Sequence, residues 1–113
     1  MSPPSSRARV AVVGTGGIVT GSHLKSLQAH ADRVELVAAV DIDQARLDTF
    51  RKAAGAVGMA PRGFADLGAM LAAERPDLVL IGTPPSLHRE QTVAALGAGA
   101  WVLCEKPLTL SLA

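Results

Sequence analysis

The stretch RVAVVGTGGIVTGSH, Arg9 to His23, decides the fold. Val10, Ala11, Val12 and Val13 form an apolar run that does not alternate with polar residues. A strand covered on both faces reads this way, and such strands belong to parallel sheets. Directly after it, Gly14 and Gly16 occupy the first two positions of a G-x-G-x-x-G turn leading into a helix. One glycine makes the tight turn, and the next lets the backbone approach a pyrophosphate resting on the amides of the helix start. The candidate phosphate-binding turn is therefore Gly14, Thr15, Gly16, Gly17 and Ile18. Its third position departs from the pattern: Val19 stands where Gly or Ala would let the helix pack closest, so the helix is pushed outward and binding weakened.

Three further apolar runs follow: VELVAAVD (Val34–Asp41), DLVLIGTPP (Asp77–Pro85) and WVLCE (Trp101–Glu105). Stretches of helical period separate them. Ile18, Leu24, Leu27 and Ala31 share one face of a first helix. Asp43 caps a second helix carrying Leu47, Phe50 and Ala54, with Gly55 as its stop. Asp66 caps a third with Leu67, Met70 and Leu71, ended by Pro76. Ser86 caps a fourth, ending near Gly97–Gly99, and a short strand is expected near Val57–Ala60. The order β-α-β-α-β-α-β-α-β, with right-handed crossovers, predicts an α/β fold with a doubly wound parallel sheet in strand order 3-2-1-4-5. Ligands of such sheets bind at the carboxyl edge where the order reverses, between strands one and four.

Two clusters fall on that edge. Asp41 ends the second strand, 22 residues beyond Val19, where its carboxylate can accept hydrogen bonds from the adenosine ribose of NAD. Ile42 and Asp43 follow it instead of Lys or Arg, so a 2′-phosphate meets negative charge and NAD is favoured over NADP. Arg46 is the one residue able to reverse that preference. After strand four comes GTPPSLH, in which Pro84 and Pro85 make a rigid apolar ledge and His88 faces the crevice or a neighbouring carbonyl. Strand five delivers Glu105 and Lys106, held by Pro107. Neighbouring side chains on a strand point opposite ways, so one faces cofactor and the other substrate. A lysine in a partly dry crevice has its pKa lowered and can move a proton to or from a hydroxyl or carbonyl.

The segments GTGGI, AAVDID, DLVLIGTPPSLH and GAWVLCEKPLTLSLA resemble the successive landmarks of the Gfo/Idh/MocA oxidoreductases, over nearly all of Arg9–Ala113. The resemblance implies a nicotinamide-dependent dehydrogenase of sugars, cyclitols or related hydroxyl compounds. It assigns Lys106 the catalytic role beside nicotinamide and substrate, and Glu105 a place near the nicotinamide ribose. Thr83, Pro84, Pro85 and His88 then line the cofactor. It also implies a second, larger domain that holds the substrate, supplies another catalytic group and makes the contacts of a homo-oligomer. Met1–Ala8 is expected to be a flexible tail and residues 9–113 the dinucleotide-binding domain alone, cut before the substrate domain. That piece alone should bind NAD weakly and turn over nothing.

Composition narrows the alternatives. The 113 residues are 49% hydrophobic and 19% charged with a formal net charge of +1, which suits one globular domain. Basic residues are scattered, which argues against nucleic acid as partner. Cys104 is the single cysteine, so no internal disulfide or thiolate metal cluster is expected, and it reads as a buried inert thiol. MSPPSSRAR lacks the apolar core of a signal peptide and no stretch is apolar enough for a membrane helix, which together predict a cytoplasmic protein. The chain has no tyrosine, which removes the Tyr-x-x-x-Lys chemistry of short-chain dehydrogenases. A methyltransferase shares the glycine turn but gives no reason for T-P-P-x-x-H or E-K-P. A non-catalytic NAD-sensing module keeps the crevice and has no use for Lys106.

Overall fold

Short valine-rich runs flanked by capped helices fold as their pattern dictates. The computed structural model describes residues 7–15, 24–82 and 85–104, excepting the side chains of Pro85, His88 and Cys104. Strands β1 (Ala8–Val13), β2 (Val34–Val40), β3 (Arg62–Phe64), β4 (Leu78–Ile81) and β5 (Trp101–Cys104) form one sheet in the order β3-β2-β1-β4-β5. All four pairings are parallel. Helices α1 (residues 24–29), α2 (Gln44–Ala56), α3 (Leu67–Glu74) and α4 (Pro85–Gly97) provide the crossovers.

The sheet buries both faces at its centre. Val10, Val12, Leu36, Ala39 and Leu80 pack with Leu24 and Leu27 of α1 and with Leu47, Phe50 and Ala54 of α2. Ala11, Val13, Val40, Val79 and Ile81 pack on the opposite face against Met70 and Leu71 of α3 and Ala95 of α4. Phe50 is wholly buried, and truncating such a side chain to Ala costs about 3–5 kcal/mol. A register shift in the β1–β2 pairing between Val10 and Ala11 places Val37 opposite no partner, so β2 buries Leu36 through Val40 without strict alternation.

Asp43 and Asp66 cap their helices as the sequence indicates. Asp43 accepts from the Ala45 and Arg46 amides, and Asp66 from the Ala69 amide. Other boundaries move. Helix α2 runs past Gly55 to Ala56, and the chain turns at Gly58, whose φ of 84° is the left-handed conformation that stops a helix. The segment Val57–Ala60 is consequently a turn and its exit, not a strand, and β3 begins only after Pro61, which has no N–H for the ladder. Ser86 lies inside the first turn of α4, which starts at Pro85, a residue suited to a first helical position. Ala31 sits exposed in the turn after α1. Ala8, assigned to the tail by the sequence, is the first residue of β1 and donates to the Arg33 carbonyl at 2.8 Å.

Across the amino-terminal edge, Glu74 of α3 ties two strands together. Its carboxylate meets Arg9 of β1 at 3.1 Å and Arg62 of β3 at 2.7 Å. The Arg62 guanidinium also lies 5.4 Å from the centre of the Phe64 ring.

Candidate functional site at the carboxyl edge of the sheet

Because β1 pairs with both β2 and β4, the reversal of strand order falls at the end of β1, and the chain opens a cleft there of about 950 Å³. Val13, Gly14 and Thr15 contribute its floor from the end of β1 and the turn after it, and Val40, Asp41 and Ile42 its wall from the end of β2 and the residues that follow. Ala65–Gly68 closes the side beyond β3, and Gly82 stands at the end of β4. From α4 come Leu87, Glu90, Gln91 and Ala94, spaced so that all four fall on one helical face.

Gly14 sits at φ 89°, a conformation that an L side chain strains to adopt, and its amide donates to the Val40 carbonyl at 2.8 Å. The turn therefore continues the β1–β2 ladder by one bond before leaving the sheet. Thr15, only 4% exposed, then reaches across to Asp41. Its amide donates to Asp41 Oδ2 at 3.0 Å and its hydroxyl to the same oxygen at 2.7 Å. The other oxygen, Oδ1, accepts the Asp43 amide at 2.9 Å. Burial alone would raise the Asp41 pKa. The Asp43 amide, the Thr15 amide and hydroxyl, and the Arg46 charge outweigh it, holding the carboxyl below its usual value.

A dinucleotide fits these donors and acceptors. A carboxylate has about four acceptor sites, and Asp41 spends three, leaving one on Oδ1 for a ribose hydroxyl. Ile42, 90% exposed, and Leu87, 40% exposed, give the cleft apolar side chains suited to a flat base. Arg46 lines the cleft, but its Nε lies 3.7 Å from the Asp43 carboxylate, so its charge is shared with an acidic neighbour. Among the described residues, no cluster of His, Cys, Asp or Glu could hold a metal ion, and no helix is long and apolar enough to cross a membrane.

Of the site residues expected from sequence, Gly14, Thr15 and Asp41 converge on this cleft. Gly16, Gly17, Ile18, Thr83, Pro84, Glu105 and Lys106 lie outside the described residues, as do Val19 and the side chains of Pro85, His88 and Cys104. The sequence reading passed over Ala65–Gly68 and the α4 face. The α4 residues were findable by their i, i+3, i+4, i+7 spacing; the loop after β3 was hidden by misplacing that strand.

Comparison with known proteins agrees with this geometry. An oxidoreductase family described as having an NAD-binding Rossmann fold, Gfo/Idh/MocA, matches residues 8–113. The D-glucoside 3-dehydrogenase of Escherichia coli is 39% identical over 103 residues, covering 91% of this chain and 28% of that enzyme. An inositol 2-dehydrogenase/D-chiro-inositol 3-dehydrogenase of Shouchella clausii is 34% identical over 100 residues, 88% of this chain and 28% of its own length. The chain thus spans less than a third of these relatives. Among solved structures, the WlbA dehydrogenase of Bordetella pertussis in complex with NADH and UDP-GlcNAcA superposes with a TM-score of 0.80 at 32% identity, over 90% of this chain and 29% of the other. The scyllo-inositol dehydrogenase of Lactobacillus casei with NAD(H) and scyllo-inositol gives 0.75 at 28% identity, over 90% and 28%.

Proposed function

Since the chain belongs to the Gfo/Idh/MocA oxidoreductase family, we propose that it is the NAD-binding domain of a dehydrogenase acting on a hydroxyl of a sugar or cyclitol. The observation that carries this reading is the convergence of the Gly14–Thr15 turn and Asp41 on one cleft at the strand-order reversal. Gly14 makes the tight turn, Gly16 is the glycine that a diphosphate meets, and Asp41 receives the adenosine ribose. NAD rather than NADP follows from the ionised carboxylate at the position a 2′-phosphate would take, with Arg46 already engaged by Asp43.

NAD supplies a hydride acceptor when bound. The chain's contribution to the chemistry is Lys106, which on this reading orients the substrate hydroxyl and takes its proton, with Glu105 fixing the nicotinamide ribose. General acid–base help of this kind is worth about 10²–10⁴ in rate, but only with the substrate held in place. The holder is the second domain that the family resemblance implies, so the 113-residue chain alone binds cofactor weakly and turns over nothing. It acts in the cytoplasm, within a homo-oligomer of the complete enzyme.

Titration of the chain with NAD, followed by amide NMR shifts, tests the reading. Shifts should concentrate at Gly14, Thr15, Asp41, Ile42 and Gly82. An unchanged spectrum at millimolar NAD overturns it.

A further inference from the structure

A carboxylate that recognises a ribose must be ionised and correctly turned. Its terminal torsion is broad and does not fix orientation by itself. The structure supplies the missing constraint from the turn that follows the neighbouring strand. Thr15 brings two donors to one oxygen of Asp41, the amide at 3.0 Å and the hydroxyl at 2.7 Å. Thr15 is almost fully buried, so water competes little for its hydroxyl, and β-branching stiffens its first side-chain torsion.

We propose, building on the dinucleotide reading above, that Thr15 is a positioning residue for Asp41. By saturating Oδ2 it leaves Oδ1 as the oxygen that receives a ribose hydroxyl, and so sets the preference for an unphosphorylated adenosine ribose over a 2′-phosphorylated one. Oδ1 already takes the Asp43 amide at 2.9 Å, which leaves room for one hydroxyl donor. A phosphate monoester brings no donor in its ionised form and meets a carboxylate held in the charged state by three hydrogen bonds. Without the Thr15 hydroxyl the carboxylate turns more freely and protonates more readily, so it discriminates less. The amide at position 15 is available from any residue but proline; the hydroxyl is what makes threonine or serine matter here.

The test compares wild type, Thr15→Val and Thr15→Ser in the 113-residue chain. Dissociation constants for NAD and NADP are measured by calorimetry, and the Asp41 carboxyl is titrated by carbon NMR without ligand. Thr15→Val should weaken NAD about tenfold, the scale of one hydrogen bond to a charged group, while leaving NADP nearly unchanged. It should also move the Asp41 titration upward, and Thr15→Ser should restore both. An unaltered NAD-to-NADP ratio in Thr15→Val overturns the proposal. So does a serine variant that behaves like valine, since the methyl and not the hydroxyl would then be responsible. Should Thr15→Val fail to fold, the wild-type titration still decides: an Asp41 that titrates at or above the usual aspartate value rules the clamp out. A wild-type chain that binds neither dinucleotide sinks the dinucleotide reading itself, whereas binding with a wild-type ratio in Thr15→Val sinks only the clamp.

Discussion

The Thr15 hydroxyl stands 2.7 Å from Asp41 Oδ2, joining the carboxyl ends of two adjacent parallel strands through side chains just where their backbone pairing stops. The last backbone bond before it runs from the Gly14 amide to the Val40 carbonyl. The side-chain network at this rim is therefore continuous with the backbone ladder of the sheet.

That continuity has a pH signature. Asp41 has a depressed pKa in the folded chain, so its contribution to stability is fully present above the unfolded value and is lost as pH falls through the lower folded one. Asp41→Asn should melt at lower temperature than wild type at neutral pH, because its NH₂ opposes donors where an oxygen accepted. The gap should close only in acid, below the ordinary aspartate pKa of about 3.9. Thermal melts of both chains across that range check it.

Gly14→Ala should destabilise the chain by about 1–2 kcal/mol, the usual cost of a left-handed L residue. Strain at Gly14 also disturbs the neighbouring Thr15 donors that hold Asp41, so NAD affinity should fall further than stability alone explains. Urea denaturation paired with NAD titration separates the two effects.

How much of this was readable in advance follows from what each feature depends on. The sheet order and both aspartate caps rest on local pattern: unbroken apolar runs, and carboxylates placed before helical periods. Those were legible. The strand after α2 was not, because Arg62-Gly63-Phe64 is only 3 residues long and mostly exposed, with no apolar run to announce it. Val57 looked the better candidate, but its amide turns back to the Ala54 carbonyl to close the helix. That Asp41 stands at the carboxyl edge of the sheet was legible from its spacing. Its bond to Thr15 was not, since a contact between residues 26 apart depends on the β1–β2 register and no sequence period encodes it.

At the opposite edge, Glu74 answers two arginines from two strands and is itself nearly buried. Glu74→Ala should cost about 1–3 kcal/mol, since Arg9 and Arg62 are partly exposed and regain water on release. NAD affinity should not change, because this network lies across the sheet from the cleft. Urea denaturation and the NAD titration together test that separation.

For catalysis the decisive substitution is Lys106→Met in a complete protein carrying this domain. Turnover should be abolished while NAD binds as before, the pattern of a group that acts on the reacting hydroxyl. Steady-state kinetics and equilibrium NAD binding read the two quantities. Surviving activity would remove Lys106 from the mechanism.

Trp101 provides a built-in negative control. It opens β5 opposite Leu78, at the amino end of the strand, about 10 Å along the strand from Cys104 at the carboxyl edge. Its side chain is 78% exposed, and Leu103 two residues on, 57% exposed, shares its face because strand side chains alternate. Val102 between them turns the other way and packs against the cluster under α3 and α4. Trp101 emission should therefore be red-shifted, readily quenched by iodide and insensitive to NAD, while amide shifts at Asp41 and Thr15 respond. The same two side chains form an apolar strip, so the isolated chain should associate weakly and Trp101→Ser should reduce that association in light scattering. A tryptophan signal that saturates together with the Asp41 amide shift would place the cofactor near the wrong end of β5.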